Sequence, residues 1–164
     1  MSATSRGFQL CAHLARAVRQ GRKTASWRPL SFRELDQGEP ASPFSPGEIM
    51  WVAEPYGELN GARVPMASLV TDIFKDENQE PIPDGFVNFG LTDGNSAMLW
   101  IQIDSVELAK LDLAHRSIAD TGMVPIGGGT AQDEFARQWG DTYRGAHALG
   151  SAPMCWLVKF HVSS

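Results

Sequence analysis

The chain holds 164 residues, 43% hydrophobic and 20% charged, with a net charge of −5 at pH 7. Those proportions predict a single globular domain, 1–164, exclude a disordered chain, and argue against general binding to polyanions. Cys11 and Cys155 lack a CxxC-type partner and His13, His115, His147 and His161 are scattered without ligand spacing, so no disulfide framework, metal site or other cofactor is expected.

The N-terminal residues lead into no long apolar run, so neither a signal peptide nor a membrane-spanning helix is read, and the cytoplasm is the expected compartment. Phe8, Cys11, Leu14, Ala15 and Val18 recur at steps of three and four, which predicts an amphipathic helix over about residues 7–20. Arg16 and Arg19 fall near its C-terminal end, where the helix dipole favours cations, and Gly21 is a natural left-handed terminator. Residues 1–33 carry seven basic side chains and no acidic one, +7, whereas the remainder carries seven basic and nineteen acidic, −12. This asymmetry predicts either a local electropositive surface on an acidic body or a helix with a solvated basic face.

The helix delivers the chain into Gly21-Arg22-Lys23-Thr24-Ala25-Ser26-Trp27-Arg28-Pro29. If Lys23 to Arg28 is extended, Thr24, Ser26 and Arg28 share one face and Lys23, Ala25 and Trp27 the other. A twist or bulge is then needed to bring Lys23 to the hydroxyl side. The plainer reading is a basic edge strand.

Residues 29–47, with four prolines, read as a loop; Pro46-Gly47 then turns into a short strand, Ile49–Ala53, that ends at Glu54-Pro55. Ala62–Ile73 is a second expected strand, placed at an edge or start by Pro65. Residues at about 75–95 are acidic and rich in Gly, Pro and Asn, with Asp76, Glu77, Glu80 and Asp84 clustered, and read as a surface insertion with a short strand around Phe86–Phe89. Ala97–Leu108 is the most strand-like run. Ser117 with Asp120 predicts a capped short helix that stops at Gly122, and Thr130 with Asp133 predicts another, carrying Phe135, Trp139 and Tyr143 on one face. Gly127-Gly128-Gly129 lacks the Lys-Ser/Thr pair of a phosphate loop. Cys155–Val162 is the closing strand. About five short strands with few crossover helices predict an α+β fold, a small, mostly antiparallel β-barrel with an N-terminal helix and short helices at its mouth.

Four segments, in order, resemble ASCH domains of the PUA-like superfamily, particularly those of phages and prophages. They are Gly21–Pro29, Pro46–Glu54, Val106–Met123, and Phe135–Trp139 followed by Pro153–Phe160. The resemblance spans nearly the whole chain. It implies a PUA-like β-barrel with a cleft beside the first strand, and a role in RNA binding or nucleoside processing. In family members that hydrolyse the acetyl group of N4-acetylcytidine, a lysine, a threonine and a glutamate form the site. The lysine corresponds to Lys23 and the threonine to Ser26. The glutamate position is occupied by Thr121, which leaves Asp120 and Glu54 as candidate carboxylates.

Amide hydrolysis needs a nucleophile, a proton acceptor and a group that stabilises the oxyanion. Ser26 and Lys23 can supply the first two if the lysine is neutral, and Arg22 and Arg28 can supply the positive charge that favours neutrality. One reading is therefore an amidohydrolase acting on an N4-acylated cytidine-type nucleoside. The alternative is a non-catalytic RNA-binding module in which Arg22, Thr24 and Arg28 engage phosphates and Trp27 or Trp51 stacks on bases. A ribonuclease lacks support from a histidine pair or a carboxylate cluster.

Overall fold

A computed structural model describes residues 7–36, 38, 40–70, 82–124 and 129–163. Asp76, Glu77 and Glu80 of the acidic stretch, residues 71–73 of the second expected strand, and Gly127-Gly128 lie outside them. The described residues form an α+β fold with mostly antiparallel sheets and few helices. Its strands are β1 (Phe8–Gln9), β2 (Ala25–Pro29), β3 (Ile49–Ala53), β4 (Pro55–Leu59), β5 (Ala62–Pro65), β6 (Val87–Leu91), β7 (Trp100–Lys110) and β8 (Met154–Val162). Its helices are α1 (Ala12–Arg19), α2 (Phe32–Leu35) and α3 (Ala131–Thr142).

A five-stranded sheet runs in the order β1-β3-β7-β8-β2, and a three-stranded sheet in the order β5-β4-β6. The β1–β3 pairing is parallel. β8 sits between β7 and β2 and buries side chains on both faces. Trp156, Val158 and Phe160 join a core with Phe8, Met50, Ile101 and α1, whereas Cys155 and Leu157 join a second core with Trp27, Ile118, Phe135 and Trp139. Burial on both faces explains the continuous apolar run that marks β8 in the sequence.

Several expectations are corrected. The first helix starts at Ala12, because Phe8–Gln9 pairs with Val52–Ala53 as β1 and Leu10 N donates to Ala53 O at 3.0 Å. The expected loop at 29–47 contains α2, closed by a capping box between Ser31 and Glu34. Strand β4 went unread. It forms a hairpin with β5 through Asn60-Gly61, both at positive φ, the turn chemistry that such hairpins favour. Of the described part of that run, residues 62–70, only Ala62–Pro65 is strand, and a 3-10 turn follows at Met66–Ser68; Pro65 does lie on an edge strand. The short helix before Gly122 is a 3-10 turn, Arg116–Asp120, capped by the His115 ring and not by Ser117.

No backbone ladder joins β1 to β2 among the described residues, so the five-stranded sheet does not close into a barrel. A side chain spans the seam instead. Arg28 Nη2 donates to Gln9 O at 2.7 Å, and its guanidinium lies 4.0 Å from the Phe8 ring centroid.

Candidate functional site

The site is built where α1 hands the chain to β2. Gly21, at φ +76°, ends the helix in the left-handed conformation that glycine adopts without strain. The amides of Arg22 and Lys23 then both reach Ala17 O, at 2.9 and 3.1 Å. Lys23 makes an isolated bridge to Thr121, and β2 begins two residues later. Strand alternation therefore does not carry across to Lys23, so Lys23 and Ser26 line one cavity although simple alternation sets them on opposite faces.

That cavity, of about 550 Å³, occupies the seam between the two end strands. Gln9, Leu10 and Cys11 contribute from the β1 side, Lys23, Ser26 and Arg28 from the β2 side, and Trp139, Asp141 and Tyr143 from α3 and its end. Because β2 ends the sheet, the cavity reaches side chains from both of its faces.

Lys23 is 3% exposed. Burial, reinforced by the nearby charge of Arg28 and opposed by Cys11, lowers its pKa to about 7. Nζ donates to Ala25 O at 2.8 Å and to Thr121 O at 3.0 Å. A neutral amine has two N–H bonds and one lone pair, so these two acceptors take both protons and leave the lone pair available. Ser26 Oγ accepts from Arg28 Nε at 3.0 Å, which leaves its own proton to give. Burial lowers the Arg28 pKa, with Tyr143 opposing. Burial likewise raises that of Tyr143, with Arg28 opposing. Cys155 is pushed up to about 12 by burial, which keeps it an inert core thiol.

Gly122 holds this arrangement tightly. It sits at φ +81°, and a Cβ there would lie 2.8 Å from Ala17 Cβ and 2.9 Å from Lys23 Cβ. Gly122→Ala is expected to cost about 2 kcal/mol through backbone strain and overpacking. Thermal unfolding checks this, and an unchanged Tm would contradict it.

The remaining candidates are placed elsewhere. Glu54 is fully buried and held by Arg19 through two bonds, 2.6 and 2.8 Å, away from the cavity lining. Asp120 is exposed, and its carbonyl accepts from the Thr24 amide at 2.8 Å. Thr24 is exposed outside the lining, and Arg22 turns to Gln20 and to Gly122 O. Trp51 packs beside Gly7 and Gly94. Trp27 lines the cavity, but it is a core residue whose Nε1 donates to Ser117 Oγ at 3.1 Å. Thr121 lines the cavity too; its hydroxyl donates to Ile118 O at 2.6 Å while its carbonyl holds Lys23. Among the described residues the lining carries one carboxylate, Asp141, which is 71% exposed and paired with Arg137 at the rim. Tyr143 went unrecognised as a cavity residue, although its spacing with Phe135 and Trp139 was visible.

Among the described residues no three His, Cys, Asp or Glu side chains gather to hold a metal, and no helix is long and apolar enough to cross a membrane. Comparison with family models, with curated proteins and with solved structures gave no match.

Proposed function

We propose that the chain is an ASCH-type protein of the PUA-like class, a barrel left open at one seam, that hydrolyses an N4-acylated cytidine-type nucleoside in the cytoplasm through Ser26 and Lys23. The observation that carries this reading is the presence, in the lining of one cavity, of a serine hydroxyl and a buried lysine whose pKa is lowered to about 7. The cavity volume falls within the usual range for small-molecule sites. At neutral pH a large fraction of Lys23 is an amine able to accept the serine proton.

The alternative, an RNA-binding module, is weakened by where the N-terminal charge goes. Arg19 is paired with Glu54, Arg16 reaches Ala67 O, Arg22 reaches Gly122 O, Arg28 spans the seam, and Lys23 is buried. Arg19 is thus neutralised by a carboxylate and Lys23 is buried, while Arg16, Arg22 and Arg28 spend N–H donors on backbone carbonyls, which leaves fewer of them to grip phosphates.

The test is acetate release from N4-acetylcytidine by the wild-type protein. Turnover is expected, with kcat/KM rising as pH passes through about 7 and Lys23 deprotonates. Absence of turnover, together with salt-sensitive binding of single-stranded RNA, would replace this reading with the RNA-binding one.

A further inference from the structure

From the packing at the end of α3 we infer that Tyr143 is an oxyanion-stabilising hydrogen-bond donor of the site, beside Arg28. This rests on the Ser26/Lys23 hydrolase reading. Tyr143 lines the same cavity as Lys23, Ser26 and Arg28. Its ring is fixed by two neighbours: the Trp139 ring, with centroids 4.4 Å apart, and the His147 ring, edge-on at 6.2 Å. The backbone adds a third constraint, since Tyr143 N donates to Trp139 O at 2.8 Å. A side chain held this firmly by its ring presents its hydroxyl with little entropic cost on binding. Other polar groups of the wall are engaged: Thr121 Oγ1 with Ile118 O, Thr142 Oγ1 with Gln138 O, and Gln138 Nε2 with Glu134. Burial keeps the phenol protonated through the neutral range, so it stays a donor.

The chemistry closes without a carboxylic acid. Ser26 Oγ attacks the acyl carbon as its proton passes to Lys23 Nζ, and the carbonyl π electrons move onto oxygen. Tyr143 and Arg28 donate hydrogen bonds to that oxyanion. The C–N bond then breaks, and the proton on Lys23 passes to the departing exocyclic nitrogen, giving free cytidine and an acyl-serine. Water attacks the acyl-serine with Lys23 again as base. Acetate leaves, and Ser26 regains its proton.

Tyr143→Phe keeps the ring contacts and removes only the hydroxyl. It is expected to lower kcat for N4-acetylcytidine about 100-fold, with KM within about twofold and Tm unchanged. Methylboronic acid supplies a second readout, because its boron becomes tetrahedral and anionic on bonding to a serine oxygen, and 11B NMR reports the change. Wild type should form the adduct, Ser26→Ala should not, and Tyr143→Phe should bind at least about tenfold more weakly. Equal adduct affinity and equal kcat in Tyr143→Phe would overturn the role of Tyr143 and leave the hydrolase reading standing. Failure of wild type to form any adduct or to release acetate would overturn the Ser26 reading, and this inference with it.

Discussion

Lys23→Met is expected to reduce acetate release by on the order of 10³-fold or more, since it removes the group proposed to take the serine proton, and also to change how stability depends on pH. In the fold the ammonium has a pKa of about 7, against 10.5 for an ordinary lysine. Below pH 7 both folded and unfolded chains hold the proton, and the fold carries the full cost of burying the charge, about 5 kcal/mol. Between pH 7 and 10.5 the unfolded chain binds more protons than the folded one, so wild-type stability from this residue rises with pH. Methionine has no such slope. It does leave Ala25 O and Thr121 O without the Nζ donor, at about 1–3 kcal/mol for each carbonyl left unpaired. The variant should therefore compare best with wild type near pH 6 and worst near pH 9.5, with the Tm difference changing by about 10 °C across that interval. Parallel Tm curves for the two proteins would show that Lys23 is not held away from its ordinary pKa.

Glu54→Ala should destabilise the fold and should spare the chemistry. Glu54 is 0% exposed, at the end of β3, and both of its oxygens bond Arg19 on α1. Removing one partner of a buried pair leaves the other charge under-solvated and costs about 3–5 kcal/mol. With Arg19 27% exposed, water recovers part of that, and a fall in Tm of about 10 °C follows. At temperatures well below the new Tm, kcat for N4-acetylcytidine should stay within about threefold of wild type. A catalytic Glu54 would give the opposite pattern, with kcat collapsing and Tm barely moving.

The long apolar strands were legible because burial writes itself into composition: Ile49–Ala53 appears with the bounds read for it, and Ala97–Leu108 and Cys155–Val162 shift by at most three residues. The two capping boxes differ instructively. Thr130/Asp133 was read and occurs, whereas the Ser31–Glu34 signature carries the same chemistry and was passed over amid the prolines. Phe8 fits a helical step and a strand equally well, and only the β3 edge decides between them. In the site, Lys23 and Ser26 were picked out by the resemblance of Gly21–Pro29 to an ASCH segment, while strand alternation alone set them on opposite faces. Their meeting was not legible, because it depends on a bridge to Thr121, nearly a hundred residues away. Glu54 and Asp120 were chosen as carboxylates at or beside motif positions, and a motif position says nothing about an arginine waiting on α1 or a carboxylate turned to solvent.

Among the described residues β2 has one ladder partner, β8, with Ala25 opposite Lys159 and Pro29 opposite Cys155. β2 therefore gains this neighbour only when two segments far apart in sequence meet. Loop closure over more than 120 residues must be completed before that pairing returns any free energy. Until it is, Ser26 and Lys23 stay hydrated and chemically ordinary, so the lowered lysine pKa belongs to the assembled sheet and not to the local sequence.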